Sequence, residues 1–374
     1  MTWFQRLTGT GEDSPTQIRA ELSVRDDCLV CPGGQRIAFG RLETPRLSEL
    51  RDRVSKLTTE PICSTIQEVV ADVRRLHADQ DNAGAVFQVA SQFNLLEMTG
   101  PSVTPERGVG IYENDPTQGP ACAIACGAGT IYRNYFAPVV DSTVVRRAAG
   151  ESSELPGGAS TSDFSECVLG QTANHQIDCS ADLGSELGNT DQRLWTMQNG
   201  YLFPTDDGLA EIAQTIRSAS PPGRESLLGL LRIGLQIDAE VTIADGRDQV
   251  SGQPASGQRA SGHRVSQAYC SALPVAYGRQ PTEQWADFAK LILDAAYEAT
   301  LAAAVLNAIH SGNRVVYLTL LGGGVFGNRD QWIIDAIERA FGKHVDHNLD
   351  VRIVSYGHSK PAVAELVRRL QNSG

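Results

Sequence analysis

Along most of this chain apolar residues either alternate with polar ones or recur every three to four positions, and the two periods divide it into strands and helices. The clearest run is Arg314–Asn328, RVVYLTLLGGGVFGN. Val315, Val316, Tyr317, Leu318 and Leu320 predict a buried strand that breaks into Gly322-Gly323-Gly324 and, after Val325 and Phe326, Gly327. A helix over Thr282–Ile309 precedes it, with Phe288, Leu291, Ile292, Ala295, Tyr297, Leu301, Ala304 and Leu306 on its apolar face. Asp330–Ile337 predicts a second helix and Val351–Tyr356 another strand. Helix, strand, glycine loop, helix, strand is the order of a parallel sheet covered on both faces, whose ligands sit outside the carboxyl ends of the strands. Glycines at that place let backbone N–H groups approach an anion, most often a phosphate, and leave the Phe326 ring free to stack on a sugar or base. The alternative is a tight turn with Phe326 in the core.

Upstream the pattern is less regular. The first dozen residues read as a loose terminus. QIRAELSV and RIAFGRL read as β-runs of a hairpin between Thr16 and Leu42, with Cys31-Pro32-Gly33-Gly34 as its turn. Ser48–Leu57 and Pro61–Ala78 read as helices, and Ala85–Ala90 as a buried strand that Ser91-Gln92-Phe93-Asn94 leaves. Thr99–Gly119 is punctuated by Pro101, Pro105, Gly108, Gly110 and Pro116, so it is a loop. Glu97, Glu106, Arg107, Tyr112, Glu113, Asp115 and Gln118 lie in or beside it. A loop of that length inside a compact domain is uncommon and often functional. From Pro120 small residues predict a helix packed closely on the sheet, with its first amides open to a phosphate. In 141–262, Ser152–Ser165 and Asp245–Gly262 read as mobile loops, Asn199–Pro204 as a short strand and Leu209–Ser218 as a helix. Leu228–Ile243 runs from helix into a strand whose Gln236, Asp238 and Glu240 form a water-facing side, and Val265–Tyr277 reads as a strand and loop.

Composition narrows the class. Hydrophobic residues at 41% and charged residues at 20% describe a globular protein, and a net charge of −12 argues against an extended nucleic-acid or anionic-membrane surface. No apolar run approaches the ~18–20 residues of a membrane span. MTWFQRLTGTGEDSP lacks the apolar core of a signal peptide, and eight cysteines without a framework point to reduced thiols in a cytoplasmic protein. Cys28 and Cys31 have CxxC spacing, but no second CxxC and no nearby histidine complete a metal site. His344 and His347 belong to no metalloenzyme motif and read as surface histidines. Neither GxSxG nor GxxxxGK[ST] occurs.

Tyr297–Ala304, then a strand, GGGVFGN, a helix and a last strand together resemble the C-terminal half of a macrodomain, a family that binds ADP-ribose and in some members hydrolyses ADP-ribosyl bonds. The family's second phosphate loop has a Gly-[Val/Ile]-[Phe/Tyr]-Gly core, met here by Gly324-Val325-Phe326-Gly327. Its last strand often ends in an aromatic that stacks on adenine, and Tyr356 stands there. Phe87–Ser91 lies over the strand that in the family ends Val-Asn-Ala-Ala-Asn, with Gln88 and Ser91 in place of asparagines. A more distant similarity is to poly(ADP-ribose) glycohydrolases, whose Gln-Glu-Glu supplies the acid. Here Gln118 is followed by Gly119-Pro120, so an acid would have to come from Glu106 or Asp115.

The resemblance implies an α/β, macrodomain-like mixed sheet sandwiched by helices. Residues 1–80 would be a hairpin and helices packing on a core of 81–374, with an insertion at 141–262. From the residues themselves, Glu106 and Asp115, each among glycines and prolines that can fix a loop close to a ligand, are the candidate catalytic acids, and Gln118, next to the expected helix start, would orient a ribose hydroxyl or a water. Ser91, Asn94, Gly322, Gly323, Gly324, Val325, Phe326, Gly327, Asn328 and Tyr356 would contact the ligand. That ligand would be ADP-ribose, a related NAD-derived nucleotide or an ADP-ribosylated macromolecule, with no cofactor, no metal and no membrane partner. The alternatives are a non-catalytic reader of ADP-ribosylated partners and an enzyme acting on another nucleotide.

Overall fold

The computed structural model describes residues 1–58, 60–139, 168–243 and 262–372. The stretch Ser152–Ser165 and almost all of Asp245–Gly262 lie outside them.

Two short helices, α1 (Trp3–Thr8) and α2 (Pro15–Glu21), stand where loose chain and a β-run were expected. Their caps explain them. Thr2 and Ser14 each accept a hydrogen bond from the amide three residues on, and Pro15 occupies the first turn of α2. Trp3, Phe4 and Leu7 then bury in a core shared with Tyr112, Ile131 and Tyr135. β1 (Ser23–Arg25), β2 (Cys28–Val30) and β3 (Arg36–Ala38) form a small antiparallel sheet, and the Cys31–Gly34 turn joins the last two.

The main elements follow in order: β4 (Arg41–Glu43), α3 (Leu47–Ser55), β5 (Thr65–Val70), α4 (Val73–Ala78), β6 (Val86–Ala90), α5 (Gln118–Ala125), α6 (Gly127–Tyr135), β7 (Pro138–Val139) and β8 (Val168–Leu169). Next come α7 (Ala181–Leu187), β9 (Trp195–Gln198), β10 (Tyr201–Pro204), α8 (Asp206–Ser218), α9 (Pro221–Gly229), β11 (Gly234–Glu240) and β12 (Arg264–Cys270). The chain closes with α10 (Ala286–Ser311), β13 (Val315–Leu318), α11 (Asp330–Lys343), β14 (Asp350–Ser355) and α12 (Pro361–Gln371). β5 corrects the helix expected over Pro61–Ala78: TIQEVV is rich in β-branched residues and pairs with β14 along its whole length.

The central sheet is mixed, with strand order β4-β11-β12-β6-β13-β14-β5. β12, β6, β13, β14 and β5 are parallel, and β11 runs antiparallel to both its neighbours. Residues 1–80 thus supply both edge strands. Alternation along β6 assigns the two faces: Gln88 reaches Thr300 of α10, whereas Phe87 stacks on His77 of α4. α10 is buried along nearly its whole length, with α3 and α11 packed against it. By length and hydropathy that helix would suit a membrane span, but 83% of its apolar window lies inside the fold. β11 is an inner strand and not the expected water-facing one. Gln236 is fully buried, donating to Phe39 O, and Glu240 accepts from Ala38 N. His344, expected at the surface, is buried behind α11. Among the described residues no two cysteines form a disulfide.

Candidate functional site

The carboxyl ends of β6, β12 and β13 open into a cleft of about 210 Å³. Ser91, Gln92, Glu97 and Met98 come to it from beyond β6, and Thr319–Gly322 with Gly324–Phe326 from beyond β13. The third side is the start of α5, preceded by Asp115 and Thr117, and Tyr201 and Tyr277 close the mouth. Among the described residues no lysine or arginine lines it.

The glycine loop is held from behind and left open in front. Tyr297 of α10 is fully buried, and its hydroxyl donates to Thr319 O (2.6 Å) and accepts from Leu321 N (2.9 Å). Gln88 accepts from Thr319 N, and the Asn328 amide donates to Leu273 O (2.8 Å) while its backbone N–H closes on Gly322 O. Gly322 has φ +71, and a Cβ there would meet Ala272 at 2.5 Å, so only glycine turns this corner. The amides of Gly324, Val325 and Phe326 have no hydrogen bond among the described residues. Consecutive free N–H groups of this kind form an anion nest. Phe326 packs 5.4 Å from the Tyr201 ring and 5.8 Å from Tyr277, centroid to centroid, making an aromatic wall beside the nest.

A second set of amides, also without a hydrogen bond among the described residues, lines the same cleft. Gln118 and Gly119 begin α5, the Thr117 cap makes no side-chain bond to them, and the helix start carries positive potential. Their place is set by Gly119, whose missing Cβ would stand 2.0 Å from Ala90 O. The Gln118 side chain closes the gap: its Oε1 accepts from Ala90 N (2.9 Å) and its Nε2 donates to Gln88 O (2.8 Å). Both ends of that amide bond to β6, so Gln118 sews α5 to the sheet, and its Nε2 also donates to Cys122 Sγ (3.1 Å).

Glu97 lines the same cleft, its Cγ 3.2 Å from where a Cβ on Gly119 would stand. The turn that carries it starts at Leu95, held at φ +64, a conformation bulky residues seldom adopt. Gln92 brackets the next residue, Met98, accepting from its N–H (2.9 Å) and donating to its carbonyl. Glu97 N donates to the Tyr112 hydroxyl (3.0 Å). The Glu97 side chain is 1% exposed, and among the described residues neither carboxyl oxygen has a hydrogen-bond partner within 3.5 Å, although the Tyr112 hydroxyl stands close enough to favour the ionised form. Arg133 Nη2 stands 3.7 Å from Oε1, within reach of charge but beyond a hydrogen bond. Burial therefore dominates and pushes the Glu97 pKa up to about 8, with Arg133 and Tyr112 opposing. The carboxyl is protonated at neutral pH.

The N-terminal segment reaches this turn indirectly. Glu12 accepts from Val109 N (2.8 Å), Gly110 N (2.7 Å) and the Tyr135 hydroxyl. Trp3 donates from its indole to Val109 O and from its backbone to Glu113. These contacts fix the 3-10 turn Gly110–Asn114, which carries Tyr112.

Of the residues expected at the site, Ser91, Asp115, Gln118, Gly322, Gly324, Val325 and Phe326 line the cleft. Asn94, Glu106, Gly323, Gly327, Asn328 and Tyr356 do not. Glu106 is exposed, and its carboxylate accepts from Ala173 N (2.8 Å), so it closes a loop. Asp115 stays at the rim, where Oδ1 accepts from the N–H and hydroxyl of Thr117. Asn94 is fully buried and bonds Leu96 N and Gln176. Gly323 turns toward Ile333, and Asn328 staples the loop from behind. Tyr356 is 76% exposed just past β14, on the same edge of the sheet but outside the cleft. Glu97, Tyr201, Tyr277 and Tyr297 complete the site. Glu97 had a signal in the sequence, a lone acid inside the apolar run Leu95-Leu96-Glu97-Met98.

A second hollow of about 140 Å³ lies toward the C-terminal end of α10. The charges at its rim pair with one another, Arg41 and Arg53 with Glu43 and His310 with Asp238.

No family model and no curated protein matches the chain. Among solved structures it is similar to a poly(ADP-ribose) glycohydrolase from Thermomonospora curvata, at 14% identity over 95% of this chain and 96% of that one, with a TM-score of 0.41. It is also similar to a poly(ADP-ribose) glycohydrolase from Deinococcus radiodurans in complex with ADP-ribose, at 12% identity over 89% and 94% of the two chains, again with a TM-score of 0.41.

Proposed function

We propose that the cleft binds ADP-ribose and hydrolyses the bond between its distal ribose and an oxygen of the attached group, with Glu97 as general acid. The amides of Gly324–Phe326 and of Gln118 and Gly119 suit a diphosphate without any cation in the wall. The Tyr201, Tyr277 and Phe326 rings suit the flat face of a sugar. One observation carries the choice of hydrolase over reader: Glu97 is buried in the cleft lining, and among the described residues neither of its oxygens has a hydrogen bond. A reader needs shape and hydrogen bonds, and an unbonded buried acid serves neither.

The chemistry follows from the proton on Glu97. As the ribose C–O bond breaks, its electron pair leaves with the attached oxygen, and that oxygen takes the Glu97 proton. Water then adds to the ribose carbon and gives its proton to the Glu97 carboxylate, which restores the acid. A carboxyl that titrates near 8 is poised for both halves.

Calorimetry with ADP-ribose, NAD, ADP and AMP tests the ligand class, and tighter binding of AMP or NAD than of ADP-ribose would point to an enzyme on another nucleotide. Release of ADP-ribose from modified protein, polymer and nucleic-acid substrates tests the reaction. Glu97→Gln is expected to lower turnover at least ~10²-fold with little change in affinity. Tight binding by a wild type that releases ADP-ribose from none of these substrates would leave the reader.

A further inference from the structure

Arg133 lies on α6, fully buried, and no step above makes use of it. Its Nε donates to Leu95 O (3.0 Å) and its Nη2 to Thr130 Oγ1 (3.1 Å), while Nη1 stands 3.4 Å from Gln236 Oε1. The guanidinium carbon sits 3.6 Å above the Tyr269 ring. Three neutral acceptors and one aromatic face therefore fix the plane of the group. Held there, it approaches Glu97 Oε1 to 3.7 Å and no closer. An arginine built as a structural partner would turn its fork onto the carboxylate in a two-point bond. This one is kept just short of the Glu97 carboxyl, by contacts that include the carbonyl of the residue opening the Glu97 turn.

Other titratable groups face Glu97 from the remaining elements. They are the Tyr112 hydroxyl on the 3-10 turn, the Cys122 thiol of α5 and the Tyr269 hydroxyl of β12. Burial pushes all three well up, so they stay neutral around pH 7. Arg133 is the cation acting on the acid.

We infer that Arg133 is a positioning residue for Glu97: its charge, held near the carboxyl without a hydrogen bond, lets that group give up a proton to the leaving oxygen and take one back from water. This rests on Glu97 being the acid. A bonded guanidinium would keep the carboxylate ionised and useless as an acid, whereas burial with no cation would lock the proton in place. The stand-off distance lies between these limits.

The test reads the proton directly. In the infrared difference between wild type and Glu97→Gln, the carboxylic-acid band should vanish as pH rises through about 8. Arg133→Met should move that loss upward by about 1–3 pH units, and Arg133→Lys, which keeps the charge, by less. A second readout needs no change at Arg133. Its Nε–H resonance should titrate with the same midpoint as the band in wild type and stay flat in Glu97→Gln. An unmoved band in folded Arg133→Met, or an Arg133 resonance silent while Glu97 titrates, overturns the inference. Neither measurement depends on turnover. A wild type that titrates as stated yet releases no ADP-ribose defeats the hydrolase while the coupling stands; active wild type with an unmoved band does the reverse.

Discussion

At the scale of the residue, burial that holds Glu97 protonated to about pH 8 also sets what the side chain does to stability. Its folded pKa lies above the unfolded value of 4.5, so the native state binds the proton more tightly. The stability linked to that proton is complete below 4.5 and is lost as pH rises through about 8, up to about 5 kcal/mol. Glu97→Gln is therefore expected to lose turnover and to melt above wild type at pH 8, while the two melt close together at pH 5. Thermal unfolding at the two pH values checks this, and a variant that melts lower at pH 8 would make Glu97 a structural group. Glu106 and Asp115 drew attention in the sequence because glycines and prolines surround them. Such surroundings fix loops, and each carboxylate gives one oxygen to a loop amide. The acid that stays free is the one among Leu95, Leu96 and Met98, where no backbone donor other than its own turn comes near.

At the scale of the element, the loop after β13 was the most legible part of the chain. A β-branched run and four glycines placed strand, turn and open amides together, because that signal is entirely local. Orientation within the loop was not legible: Gly323 turns toward Ile333, whereas a Cβ on Gly324 would meet nothing within 4 Å. Gly324→Glu should thus fold normally and bring a carboxylate among the free amides. About 4 kcal/mol of like-charge repulsion, as for two charges near 4 Å apart at a protein surface, predicts at least ~10²-fold weaker ADP-ribose binding with an unchanged melting temperature. Calorimetry decides, and unaltered affinity would remove the loop from the site. Elsewhere local patterns misled. QIRAELSV alternates like a strand, but Ser14-Pro15 caps it as α2. Pro61–Ala78 has apolar residues at helical spacing, but its β-branched half is drawn into the sheet by β14.

At the scale of the whole molecule, two buried histidines set the acid limit. Burial lowers His77 and His344 from 6.5 to about 4, so the unfolded chain takes up these protons first. The stability they contribute is present above 6.5 and lost as pH falls through about 4, up to about 3 kcal/mol each. With Glu97 acting in the other direction, the melting temperature should peak near pH 6.5, the unfolded histidine value. His77→Gln should flatten the acid side in calorimetric scans, and an unchanged acid slope would count against the assignment. The parallel middle of the sheet was legible as a succession of elements. Its edges were not, since β4 and β5 find partners far along the chain and carry no local mark of it.

Those edges have a consequence in time. β5 emerges within the first 70 residues, yet Thr65 pairs with Asp350, 285 positions later. On a ribosome adding about 5–20 residues per second, roughly 15–60 s pass between the two. For that interval β5 has no strand to join, and TIQEVV is the kind of unpaired segment that chaperones shield and that aggregates recruit. Refolding of the finished chain faces the same distance as loop-closure entropy, which favours a slow last phase in which β5 docks. β5, among the first strands of this sheet to be written, is the last that can be closed into it.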